Sequence, residues 1–135
     1  MVLDGNKVIS KKRHWTSVIG MLSERELAWL KNDLEAKPPE VPVIAAIHIP
    51  LATTYTERRG VSPRQAAPWV IGNAGTVRGL LAAHNTKLVL QGHLHENERL
   101  CIDGVEYATC MAVAGSWWRS GPGFERGVDN APRGY

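Results

Sequence analysis

Cysteine is scarce in this 135-residue chain, and the placement of the two present, Cys101 and Cys110, excludes two roles. Neither has a second cysteine at metal-ligand spacing, so a zinc ribbon is ruled out. They flank Asp103-Gly104, a dipeptide suited to a two-residue type I′ hairpin. In that register Cys101 faces Glu106, and Cys110 lies four residues further on, roughly 13 Å away. Disulfide Cα atoms rarely sit more than about 7 Å apart, so two free thiols are expected, as buried packing residues. Also absent is any apolar run approaching the roughly 20 residues of a membrane span. Met1-Val2-Leu3-Asp4 reads as the start of a strand, not as a signal peptide. Excess charge of one sign is small, at +3, and only Lys11-Lys12-Arg13 is clustered. Without an aromatic-basic stripe, that run reads as a solvated loop, and nucleic-acid binding is disfavoured. Internal repeats and low-complexity tracts are missing too. What remains is 44% hydrophobic residues and five Trp, enough to build one globular core over residues 1–135.

Taken in order, Met1, Val2 and Leu3 read as a short strand, turned by Asp4-Gly5-Asn6-Lys7, and residues 8–15 as a polar connection. Ser23-Glu24-Arg25-Glu26 is a capping box, with Leu27, Leu30 and Leu34 following at helical spacing. Pro38-Pro39 stops that helix near Ala36. Residues 41–47 are continuously apolar, as for a strand covered on both faces, and end at His48-Ile49-Pro50. The polar segment 52–72 exceeds an ordinary connection, which favours a functional or partly helical loop. Asn73 can cap a helix to about His84, with Val77, Leu80 and Leu81 on its apolar stripe. A strand from Leu88 to Leu90, the turn Gly92-His93-Leu94-His95 and a hairpin over about 98–113 follow, and the chain is then irregular to Tyr135.

This alternation of strands and helices predicts an α/β layer architecture, whose ligands gather at the carboxyl ends of strands. His48 ends one apolar strand and His93 and His95 follow another. In an extended segment His93 and His95 project to the same side. If the two strands are neighbours, three imidazoles converge on one crevice, as a metal site requires. His84 reads instead as a partner for the negative end of its helix, and His14, in a basic run, as solvated.

These motifs resemble the calcineurin-like metallophosphoesterases: a lone His after a strand, in Ala-Ala-Ile-His-Ile-Pro-Leu, and later Gly92-His93-Leu94-His95. The flanks Ser-Glu-Arg-Glu-Leu-Ala-Trp-Leu, Lys-Leu-Val-Leu and Ala-Gly-Ser-Trp-Trp-Arg are similar as well. The resemblance implies a two-sheet αββα sandwich and a metal-dependent phosphoesterase. It implies that His48 and His93 bind one divalent metal and His95 a second, with manganese, zinc or iron suited to such ligands. Arg58, Arg59 or Arg119 are candidates to pair with a phosphate, though surface roles are the simpler reading.

The family's Asp-x-His, Gly-Asp-x-x-Asp and Gly-Asn-His-Asp/Glu elements do not occur here. The chain therefore resembles the later half of such a domain: a partial sandwich, a mixed sheet with flanking helices, completed by oligomerisation. Half a sandwich exposes an apolar sheet face, which predicts a homo-oligomer. A second subunit would then supply carboxylates such as Asp4, Glu96, Asp103 or Asp129. The leading expectation is a phosphoesterase acting on phosphate esters through metal-activated water. The alternative is a catalytically silent metal-binding or assembly module.

Overall fold

The computed structural model describes residues 1–12, 15–62, 65–66 and 68–111. His14, Arg119, Asp129 and the Trp-Trp segment lie outside these. The elements in chain order are β1 (Val2–Leu3), β2 (Asn6–Lys12), β3 (Trp15–Gly20), α1 (Glu24–Glu35), β4 (Val43–Ile47), α2 (Tyr55–Arg58), α3 (Ala74–Ala82), β5 (Thr86–Gln91), β6 (Glu98–Ile102) and β7 (Val105–Thr109). Five strands form one mixed sheet in the order β1-β4-β5-β7-β6, and β2 and β3 pair separately. The pairs β1/β4, β4/β5 and β5/β7 are parallel, and β6/β7 is antiparallel.

Local chemistry explains much of this. The N-terminus of α1 carries the reciprocal capping box: Ser23 Oγ accepts from the Glu26 N–H at 3.3 Å, and Glu26 Oε2 accepts from the Ser23 N–H at 2.7 Å. The helix ends at Ala36, two residues before Pro38. In the β6–β7 hairpin Asp103 (φ 52°) and Gly104 (φ 76°) both take positive φ, as a type I′ turn demands. Asn73 is the N-cap of α3 but does not cap with its side chain. It binds both Leu22 backbone groups instead, accepting from the N–H at 3.1 Å and donating to the carbonyl at 2.8 Å. His84 Nδ1 lies 2.8 Å from the Leu80 carbonyl, the helix C-terminal role expected of it.

Three expectations are corrected. Residues 8–15 are not a polar connection: most of them belong to a two-stranded antiparallel ladder in which Asn6 pairs with Gly20 and Lys12 with Trp15. The β-branched residues Val8, Ile9, Thr16, Val18 and Ile19 suit strands, and the lysines between them concealed it. The two cysteines are free but exposed, not buried. Cys101 pairs with Glu106 on the side of the sheet away from the core, and Cys110 lies just beyond β7.

The third correction concerns the sheet. Leu30 and Leu34 of α1 and Val77 and Leu81 of α3 are buried in one cluster with Val43, Ala45, Ile47, Val89, Val105 and Tyr107. No described element covers the opposite face. Val2 (78% exposed), Ile44 (54%) and Leu90 (41%) stand on it, and register places Ala46, Leu88 and Ala108 among them. So among the described residues β4 is covered on one face only, alternating in burial despite its continuous apolar sequence. The apolar run in β4 and β5 reflects two apolar faces, of which the described residues cover one.

Ser23→Ala removes the side-chain half of the capping box. It is expected to lower unfolding free energy by about 1 kcal/mol without changing the urea m-value. Urea denaturation followed by circular dichroism measures this, and an unchanged midpoint would show the box to be dispensable.

Candidate metal centre

Parallel pairing of β4 with β5 brings the two histidine segments to the same end of the sheet. Ile47 is the last residue of β4, and the exposed His48 follows it while Ile49 and Pro50 turn into the core. β5 ends at Gln91, and the Gly92 N–H donates to the His48 carbonyl at 3.0 Å. The next three residues are not extended. His93 (φ 71°) and His95 (φ 55°) are both left-handed, and the buried Leu94 between them anchors the turn. Histidine is among the residues that tolerate this region, at a local cost that persists at functional sites. Strand alternation therefore does not orient the pair; a turn with two left-handed residues does.

His48 Nε2 and His93 Nδ1 are 3.2 Å apart, with the rings edge to face at 77° and centroids 5.1 Å apart. His93 Nε2 lies 2.8 Å from the Pro68 carbonyl. Its N–H donates there, which leaves the lone pair on Nδ1, facing His48. Partial burial, then the nearby His93 and His95 rings, hold the pKa of His48 below its ordinary value and favour the neutral ring. His95 is thus within electrostatic reach of the pair.

The donor chemistry can be tested against a metal. Two nitrogens each about 2.0–2.1 Å from one ion lie about 2.9–3.4 Å apart at octahedral or tetrahedral angles. The observed 3.2 Å falls inside that range, and the Pro68 carbonyl is the kind of outer partner that fixes a ligating imidazole. The pair fits. Among the described residues, however, no group of three or more His, Cys, Asp or Glu side chains is gathered as for an ion.

The candidate carboxylates separate clearly. Asp4 follows β1, and the Leu3–Ile47 register puts it at the level of His48 one strand away. Asp103 sits in the hairpin before β7, at the opposite end of the sheet. Glu96 is next to His95 but forks between Arg58 Nη2 at 2.6 Å and Arg59 Nη2 at 2.9 Å. Burial opposes its ionisation, yet the two guanidiniums outweigh that and lower its pKa. Arg58 and Arg59 are half-exposed and engaged with this carboxylate.

Two side chains that sequence reasoning did not single out hold the site together. Gln91 is 5% exposed. Its Oε1 accepts from the Leu51 and Ala52 N–H groups at 3.0 and 3.4 Å, and its Nε2 donates to Thr109 Oγ1 at 2.8 Å and to the Ala52 carbonyl. One amide thereby ties the segment after His48 to the strand before His93. Glu98 adds a second tie, accepting from Thr53 Oγ1 at 2.6 Å, from the Thr54 N–H at 3.0 Å and from Thr54 Oγ1. A polar Gln closing an apolar strand was the one available signal. Trp69 was also missed: its ring lies 6.1 Å from that of His93 and 5.7 Å from that of Tyr55.

No protein-family model matches the chain, and no curated protein sequence does. Solved structures do. A dimetal phosphatase from Danio rerio aligns with a TM-score of 0.52 and 24% identity over 68% of this chain and 27% of that one. The phosphopantetheinyl hydrolase of Mycobacterium tuberculosis aligns with a TM-score of 0.51 and 19% identity over 74% of this chain and 34% of that one. The shared fold is metallophosphoesterase-like. This chain matches about a third or less of each neighbour's length, and at these identities the likeness concerns the fold alone. A mixed sheet with flanking helices agrees with the partial sandwich expected from sequence.

Gln91→Leu keeps the side-chain bulk but strands the Leu51 and Ala52 N–H groups. It is expected to cost about 1–3 kcal/mol of stability. Amide shifts in a proton–nitrogen correlation spectrum should move at residues 48–52 and not along α1. A perturbation confined to β7 would contradict this role.

Proposed function

We propose that the chain is a metal-dependent phosphoesterase subunit that supplies imidazole ligands to a site for phosphate-ester hydrolysis. One observation carries the reading: His48 Nε2 and His93 Nδ1 lie 3.2 Å apart at the carboxyl ends of adjacent parallel strands, with His93 fixed from behind by Pro68. The metallophosphoesterase-like fold shared with a dimetal phosphatase supports it.

In this reading His48 and His93 hold one divalent ion, and His95 serves a second. Manganese, zinc and iron all accept such ligands, and a bound ion supplies Lewis acidity towards phosphoryl oxygen and makes water ionise near neutral pH. The protein's part is positional. Pro68 sets the His93 tautomer, and the lowered pKa of His48 favours its neutral ring. Gln91 and Glu98 hold the His48 segment in register.

Imidazoles alone leave a divalent charge uncompensated, and Glu96 is committed to two arginines. Carboxylates from another subunit complete the site, and the open face around Val2, Ile44 and Leu90 is the surface that association would cover. The same face favours the second reading, a catalytically silent metal-binding and assembly module.

The test is hydrolysis of p-nitrophenyl phosphate by the purified chain with manganese, zinc or iron, with and without chelator, over a range of protein concentrations. Metal-dependent turnover per chain is expected to rise with concentration and to vanish in His93→Ala. Stoichiometric metal binding without turnover would select the silent module, and no metal binding would exclude both readings.

A further inference from the structure

Trp69 is a large apolar side chain left 38% exposed. Its indole lies between two other rings, tilted by 41° to Tyr55 and by 47° to His93. Arg59 covers the Tyr55 ring from 5.2 Å, so a wall of mutually tilted rings runs from the guanidinium to the imidazole pair. The wall is held by backbone. The Trp69 N–H donates to the Ala66 carbonyl at 2.7 Å, Ile71 to Pro50 at 3.0 Å and Gly72 to Gly20 at 2.7 Å. Pro68, the residue before the indole, supplies the carbonyl that orients His93. The element that sets the imidazole therefore also presents the indole beside it.

This part-exposed indole lies beside His93, which the phosphoesterase reading places at the metal site. The geometry points to Trp69, backed by Tyr55, as the specificity-determining contact for phosphate esters whose alcohol carries a flat aromatic ring. This rests on the phosphoesterase reading. An aromatic ring stacks on an exposed indole and loses little conformational freedom in doing so. A short alkyl alcohol gains nothing from the same surface. Arg58 and Arg59 are not needed for this selection, since Glu96 already engages both.

The test compares benzyl phosphate with ethyl phosphate, whose alcohols leave with similar difficulty and differ in the ring. With the metal-loaded protein, kcat/KM for phosphate release is expected to favour the benzyl ester. Trp69→Leu should reduce that preference about tenfold, through KM for the benzyl ester alone. Trp69→Phe should retain most of it, and Trp29→Leu, on the exposed side of α1, should leave both esters unchanged. Equal loss on both esters would show that Trp69 only supports His93, and an unchanged ratio would remove it from recognition; either overturns the proposal.

A second measurement needs no turnover and no variant. In the wild-type protein with metal, benzylphosphonate is expected to shift the Trp69 indole N–H resonance, while ethylphosphonate leaves it in place. If neither ester is hydrolysed, the phosphoesterase reading fails on its own, and the phosphonate shift still decides the stacking. No shift with benzylphosphonate, or equal shifts with both, overturns the proposal.

Discussion

The site depends on one pairing, that of β4 with β5 in parallel. Because both strands run the same way, His48 and Gly92-His93 leave the sheet side by side, and a single backbone hydrogen bond from Gly92 to His48 locks the two exits. Without it the imidazoles belong to segments 45 residues apart. The helices α1 and α3 serve this pairing by covering one sheet face with leucine and valine, the dominant favourable term in such a fold. Around it sit groups that only refine position: the Gln91 amide under the His48 segment, the Pro68 carbonyl behind His93, and Leu94 pinning a turn whose flanking histidines are left-handed.

The same sheet has one face that the described residues leave uncovered. Among the described residues, Val2, Ile44 and Leu90 stand exposed on it. The solved structures that share the fold belong to chains of which this one matches 27% and 34%. Neutral imidazoles suit a divalent ion but do not neutralise it, and Glu96, next to His95 in the chain, is bound to two arginines.

How far the sequence could be read depends on whether the determinant was local. The Ser23–Glu26 capping box and the Asp103-Gly104 turn specify their backbones within four residues, and both are where the sequence places them. The apolar runs of β4 and β5 were legible as strands, and the spacing of Leu30 and Leu34 as a buried helix face. What was not legible depended on partners far along the chain. The β2–β3 ladder was hidden by its lysines, and the one-sided burial of β4 by an unbroken apolar sequence. His93 and His95 were assigned extended geometry because nothing in Gly-His-Leu-His announces two left-handed residues. Gln91 acts on residues about forty positions away, and Trp69 meets His93 only through the fold.

The central claim is that the rings of His48 and His93 share one ion. X-ray absorption at the metal edge of the stoichiometric zinc complex tests it most directly. The account predicts at least two imidazole nitrogens at about 2.0–2.1 Å, with one lost in His48→Ala and one in His93→Ala. A first shell made only of oxygen, or an imidazole signal unchanged by both substitutions, would contradict it.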